Sequence, residues 1–365
     1  MQDDVYFRLG EQLNQHQVKI LLIEPYMRIL REFYTPEQAE LGAQLPVGAL
    51  TAAELADTLN RDLEPLTAML ETMADNGLVF VTRGEDGVSK YALTQFVPGV
   101  VEFQLMRGRD TPKDRKVAKM LKEFFEGEMR DLMQELFKNP EMVKQMLPDA
   151  PARIITVEHE LPQDIEVYSY EKLSEMLEKE ESFAAAKCYC RHHAHLVDDP
   201  CKIEGIPEYS CLMFGDTAEY IIDRRFGKRI TKEEAQEIIL ATEKAGLMHN
   251  TGNYCDRAVF VCNCCGCCCE FLGAVKRTNS TAMLAHANFV VAIDADRCSG
   301  CGDCIDRCQM EALSLVNEVI SVNENMCLGC GNCVSACPTE SLSMVRRANV
   351  KPPEAKDTLH RLGMG

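Results

Sequence analysis

Apolar and charged positions alternate with helical spacing over residues 18–33, the mark of an amphipathic helix. Thr51 stands at an N-cap position ahead of Ala52, Leu55, Ala56 and Leu59, which share one face. Leu63, Leu66, Leu70 and Met73 mark another helix, stopped by Asn76-Gly77. Two short apolar runs, Val79-Phe80-Val81 and Tyr91-Ala92-Leu93, then flank a turn at Gly84-Glu85-Asp86-Gly87 and predict a hairpin. A charged helical segment is expected over 111–146, closed by Pro148 and Pro151. Residues 154–157 read as a short strand and 170–187 as a helix leading into the first cysteine. Residues 217–225 and 232–245 read as a helical hairpin ended by Gly246. Beyond residue 289, short apolar strands alternate with Gly and Cys.

These patterns predict an α+β chain in five parts. Residues 1–110 are mainly helical with a two-stranded wing, an order that resembles a winged-helix domain. Residues 111–187 form a helical connector and 188–288 a cysteine-rich, helical metal-binding region. Residues 289–345 form a small α+β module, and 346–365 a tail.

Charge bears directly on the winged-helix resemblance. The 365-residue chain carries 39 Lys plus Arg against 57 Asp plus Glu, a balance of −18. Residues 1–110 hold 17 acidic and 9 basic side chains, and the helix in the recognition position carries Asp62, Glu64, Glu71 and Asp75 with no Lys or Arg. Such a helix meets phosphates with repulsion, so docking or dimerisation is expected of this domain rather than DNA binding. Arg61, Arg83 and Lys90 are the basic residues at its edge and wing. No stretch approaches the roughly 20 apolar residues of a membrane span, and the acidic start lacks a secretory n-region, so a cytoplasmic protein is expected.

The chemistry lies in 19 cysteines, none of them before Cys188. Cys298, Cys301, Cys304 and Cys308 recur 29 residues later as Cys327, Cys330, Cys333 and Cys337, and each half reads C-x2-C-x2-C-x3-C. Thiolates two residues apart on a tight, glycine-rich loop can reach three irons of one cubane. Zinc modules space their two thiolate pairs differently, about 12–20 residues apart. Residues 289–345 therefore resemble the bacterial two-cluster ferredoxins. In those, the fourth cysteine of each motif ligates the other cluster. The resemblance implies two [4Fe–4S] clusters, one on Cys298, Cys301, Cys304 and Cys337, the other on Cys327, Cys330, Cys333 and Cys308. Pro338 follows the second motif, whereas Gln309 follows the first and is expected to loosen that loop exit.

A second field runs Cys188-Tyr-Cys190-Arg191, Cys201, Cys211, then Cys262-Asn-Cys264-Cys265-Gly-Cys267-Cys268-Cys269. Six thiols within eight residues are open to oxidation unless something holds them. Cys188, Cys190, Cys201 and Cys211, combined with some of Cys262, Cys264, Cys265 and Cys268, are expected to hold at least one further metal centre. Iron–sulfur is favoured. Zinc bound by four of these thiolates, with His192, His193 or His195 as an optional further ligand, is the alternative, followed by a redox-active thiol pair. Cys264-Cys265-Gly266 matches the Cys-Cys-Gly element of disulfide-cleaving enzymes, while Cys255 reads as a buried thiol.

In layout, residues 188–345 resemble a group of multi-cluster 4Fe–4S binding proteins of anaerobes. The shared features are Cys-x-Cys-Arg, two spaced cysteines, a helical hairpin, the dense cysteine run and the ferredoxin module. The resemblance implies iron–sulfur binding and electron transfer, and an electron carrier or oxidoreductase subunit is expected rather than a stand-alone catalyst. Its expected partners are redox proteins, in a homo-oligomer or a larger oxidoreductase complex. A redox-sensing winged-helix regulator and a reductase using the Cys188–Cys269 region are the rival readings.

Overall fold

A computed structural model describes residues 4–361 apart from 85, 140, 144–146, 148 and 149. The expected end of the connector helix at 144–146 and Pro148 lie outside the described residues. The content is mixed helix and strand, as an α+β chain requires. No helix among the described residues is long and apolar enough to cross a membrane.

The N-terminal part begins with helices Val5–Leu13, Glu24–Phe33 and Pro36–Gly42. The helix expected over 18–33 starts only at Glu24. Pro25 sits in its first turn, where its fixed φ suits a helix start and disfavours helix before it. Asn14 also holds Ile20 outside any helix: its amide donates to the Ile20 carbonyl and accepts from the Ile20 N–H, both at 2.7 Å. Strand β1 (Leu50–Thr51) then leads into helix Ala52–Leu59, where Thr51 and Glu54 form a capping box. Helix Leu63–Asp75 and the hairpin β2 (Val79–Arg83) and β3 (Ser89–Leu93) follow, in a three-stranded sheet ordered β1-β3-β2.

Residues 188–288 are not mainly helical. They supply five strands to a seven-stranded sheet built from β4 (Ala152–Ile155), β5 (Phe183–Lys187), β6 (Tyr209–Phe214), β7 (Lys228–Arg229), β8 (Met248–Gly252), β9 (Phe260–Cys264) and β10 (Leu284–Ala285). The order is β10-β4-β8-β9-β6-β5-β7, with β10 parallel to β4 and every other neighbour antiparallel. The expected helix over 170–187 is a short helix Leu173–Leu177 followed by β5. Ala184, Ala185 and Ala186 favour helix in isolation, but β5 is flanked by β6 and β7 and wholly packed, so tertiary pairing overrides propensity. Helices Gly215–Asp223 and Lys232–Lys244 lie close to the positions the sequence indicated.

The period of two along β5 and β6 sorts the core. Phe183, Ala185, Leu212 and Phe214 pack with Ala235 and Ile239 of helix Lys232–Lys244. Ala184, Ala186, Cys211 and Met213 face the other way, into the core shared with the N-terminal part. That second face carries thiol chemistry.

The C-terminal module pairs β11 (Phe289–Ile293) with β14 (Leu342–Arg346), and β12 (Leu313–Val316) with β13 (Val319–Val322). It is bolted to the middle sheet. The Thr156 hydroxyl donates to the Gly329 carbonyl at 2.7 Å, and the Val157 N–H to the Cys330 carbonyl at 2.8 Å.

Candidate metal centres

The eight C-terminal cysteines sit on two loops between these strands, and glycine makes each loop possible. Gly300 and Gly329 adopt φ of +68° and +79°. A Cβ would lie 2.7 Å from the Glu318 carbonyl oxygen at Gly300 and 2.1 Å from the Phe289 carbonyl oxygen at Gly329, so no side chain fits at either. The thiols fall into two sets, each drawn from both motifs. Cys304 has Cys301, Cys337 and Cys298 as its neighbouring thiols. Cys308, Cys327, Cys330 and Cys333 line one cavity of about 30 Å³. The donor set and the enclosed space fit a cluster with four thiolate corners. N–H groups already point at sulfur: Ala312 donates to Cys308 Sγ and Ser341 to Cys337 Sγ, both at 3.3 Å. Burial raises the Cys337 pKa, but the Ser341 and Thr339 hydroxyls and their N–H groups outweigh it and bring the thiol down to about 7. Burial pushes Cys330 up to about 12.

The second sulfur field divides in two. Cys201, Cys265, Cys267 and Cys268 hold their Sγ atoms within 4.8 Å of one another. Cys201 Sγ lies 3.7 Å from Cys265 Sγ and 3.6 Å from Cys267 Sγ, and Cys267 lies 3.6 Å from Cys268. Four thiolates at about 2.3 Å around one tetrahedral ion stand about 3.8 Å apart, so this outer set fits a single metal ion. On a cubane the thiolates bind four different irons and diverge further. Donation from Cys201 and Cys268, with Arg191 nearby, holds Cys265 well below the ordinary thiol range.

The inner set is Cys188, Cys190, Cys211, Cys262, Cys264 and Cys269. Cys211 on β6 is the register partner of Cys262 on β9, and Cys264 lies on the same face as Cys262 two residues along. Cys188 caps helix Tyr189–Leu196, and Cys269 caps helix Glu270–Thr278. Cys190 reaches both Cys188 and Cys269, while Cys264 reaches Cys262 and Cys269.

Comparison with known proteins bears on the first of these fields. Residues 290–338 match the family model of the 4Fe-4S dicluster domain. This chain binds iron–sulfur clusters. No curated protein and no solved structure matches it. The match supports iron–sulfur electron transfer and covers the eight C-terminal cysteines.

The dicluster domain contacts the rest of the chain through side chains beside its ligands. Gln309, at the loop exit the sequence marked as loosened, is instead clamped. Its Nε2 donates to the Gly246 carbonyl at 2.9 Å, and its Oε1 accepts from the Gly266 N–H at 2.7 Å. Asn332 Nδ2 donates to the carbonyls of Gly246 and Leu247, and Arg307 Nη2 to those of Glu243 and Lys244. The Glu243 and Lys244 carbonyls at the end of helix Lys232–Lys244 thus receive bonds from the dicluster domain.

Cys267 and Cys269 were missing from the residues singled out by spacing. Their signal was the strand-to-turn change after Cys264. β9 ends there, so Cys267 and Cys268 turn toward the surface while Cys265 stays buried, and Cys269 returns at the N-cap of the next helix. Two of the histidines near Cys190 bond backbone instead: His192 Nε2 meets the Arg109 carbonyl at 2.8 Å and His193 Nε2 the Ala118 carbonyl at 2.9 Å, while His195 Nε2 lies 3.8 Å from an Asp110 carboxylate oxygen. Cys255 is buried and belongs to neither set, and its N–H bonds the Pro353 carbonyl.

Proposed function

We propose that this protein relays single electrons between redox proteins through two [4Fe–4S] clusters, with a further metal held by Cys201, Cys265, Cys267 and Cys268. In this reading Cys298, Cys301, Cys304 and Cys337 hold one cluster, and Cys327, Cys330, Cys333 and Cys308 hold the other. The observation that carries it is the gathering of Cys308 with Cys327, Cys330 and Cys333 around one cavity within a domain that matches the dicluster model. Such clusters supply reversible one-electron transfer, at potentials tuned by N–H···S bonds and burial. The chain's own groups do that tuning through the N–H groups of Ala312 and Ser341 and the hydroxyls of Ser341 and Thr339. The net charge of −18 favours partners with a basic docking patch. Nineteen free thiols suit a reducing compartment such as the cytoplasm of an anaerobe.

The N-terminal part serves in this reading as a winged-helix docking module. Its recognition-position helix is engaged within the chain: Glu71 and Asp75 both bond Arg224 at 2.8 Å. Arg83, one of the few basic side chains on the wing, pairs with Asp223 at 2.8 Å. These contacts support docking over DNA reading.

Low-temperature magnetic resonance of the reduced, anaerobically purified protein, combined with iron and zinc content, tests the proposal. Two interacting cluster signals with at least about eight irons per chain are expected. A well-folded, colourless preparation that takes up no iron on reconstitution overturns it.

A further inference from the structure

We infer that the inner thiols Cys188, Cys190, Cys211, Cys262, Cys264 and Cys269 form a separate polynuclear iron–sulfur site, distinct from the outer four-thiol ion site. The inference rests on the thiolate-metal reading above and extends it to a centre with its own pocket.

The first observation is convergence. Six sulfurs arrive from β6, β9 and the starts of two helices, and all line one cavity of about 100 Å³, which Cys265 of the outer set borders as well. Six thiols exceed what one tetrahedral ion can use, and the outer set already supplies four to such an ion. Thiols needed only for packing have no reason to gather on one wall. Aliphatic side chains fill such space without the risk of oxidation.

The second observation is charge. Arg191 points its part-buried guanidinium into the same place, donating to the Asn263 carbonyl at 2.9 Å and to the Ser210 hydroxyl. Both of these acceptors are neutral, and Arg191 lines the cavity together with the thiols and Glu102. A shielded cation needs an opposite charge, and a thiolate-ligated cluster provides one. The helices capped by Cys188 and Cys269 are eight and nine residues long, and their N-termini add positive potential toward the cavity.

The third observation is enclosure. Phe80, Phe103 and Met106 of the N-terminal part and Phe260 and Phe271 of the middle part complete the wall. The N-terminal part thereby acquires a role beyond docking, because it supplies part of the apolar wall beside the centre. Continuity with the relay is direct. Cys264 and Cys269 belong to the same packed cluster of side chains as Met310 and Leu328, against which Cys308, Cys327 and Cys330 rest.

The test uses the full chain, purified without oxygen and reconstituted with ferrous iron and sulfide. Iron, acid-labile sulfide and zinc are counted for the wild type, for Cys211→Ala/Cys264→Ala and for Cys267→Ser/Cys268→Ser. The wild type is expected to hold iron and sulfide beyond the two clusters of the dicluster domain. The inner pair of substitutions should remove that excess sulfide and its iron while the dicluster resonance persists. The outer pair should remove one metal ion and no sulfide. A wild type whose sulfide is accounted for by the dicluster domain overturns this inference and leaves the two-cluster relay standing. Loss of the same component from both pairs also overturns it, by showing one shared centre. If the inner double variant fails to fold, Cys190→Ser decides. Unchanged sulfide and spectrum in that variant reject the site, and loss of the excess sulfide alone supports it.

Discussion

The side-chain oxygen of Gln309 accepts a hydrogen bond from the backbone N–H of Gly266 at 2.7 Å. Gln309 follows Cys308 directly, and Gly266 lies between Cys265 and Cys267. One short hydrogen bond therefore joins the dicluster loop to the turn carrying three of the four outer thiols. A Cβ at Gly266 would fall 2.3 Å from the Gln309 carbonyl oxygen, so the two backbones are in contact there.

Gln309→Ala is expected to leave the Gly266 N–H without its acceptor, at a cost of about 1–2 kcal/mol. Gly246 keeps its bond from Asn332. Denaturant unfolding should show the lowered midpoint, while dicluster iron stays at the wild-type level. Loss of that iron would mean that Gln309 supports the ligands themselves rather than the junction.

Removing single ligands should group by cluster and not by motif. Cys308→Ser and Cys330→Ser are expected to alter one magnetic resonance component, and Cys301→Ser and Cys337→Ser the other. If Cys308→Ser instead shares its spectrum with Cys301→Ser, the exchange of fourth ligands between motifs is wrong.

Glu171 and Arg346 clamp the 3-10 turn Ser169–Glu171 onto β14 through two contacts of 2.8 and 2.9 Å, with Asn288 donating to the same carboxylate at 2.7 Å. Burial raises the Glu171 pKa, but Arg346, the Tyr168 N–H and Asn288 outweigh it and hold the carboxyl below its ordinary value. The folded state thus binds this proton more weakly than the unfolded chain. The stabilisation is complete above the unfolded pKa and is lost as pH falls through the depressed folded value. Arg346→Ala leaves a carboxylate whose side chain is only 5% exposed, costing about 3 kcal/mol as in other buried pairs that lose one partner. Unfolding midpoints measured from pH 7 into the acid range should fall for the wild type. Glu171→Gln should flatten that dependence, and an unchanged slope would reject the assignment.

Duplex DNA should not be retarded by the protein in an anaerobic gel, even at low salt, where charge attraction is strongest. Glu71 and Asp75 face Arg224, and Arg83 faces Asp223, so helix Leu63–Asp75 and the hairpin of β2 and β3 have little free positive charge to offer. A salt-dependent shift would favour the regulator reading.

Legibility followed distance along the chain. The Thr51 cap, the hairpin of β2 and β3 and helix Lys232–Lys244 rest on neighbours a few residues away. All were readable from the sequence. The β5 strand was not, because its alanines become strand only between β6 and β7. Gln309 looked like a missing proline because its partners lie 63 and 43 residues away.

By itself, the sequence determined the cysteine loops of the dicluster domain. Three thiols two residues apart, with glycines that allow positive φ, already place their sulfurs around one volume through local backbone geometry. The sorting of the other ten clustered thiols into an outer four and an inner six was decided by tertiary structure. Cys201 meets Cys265 across 64 residues, and Cys211 meets Cys262 only because β6 pairs with β9 in that register. A shift of one residue would turn each thiol to the opposite face of the sheet, so no spacing along the chain could have settled which sulfurs share a site.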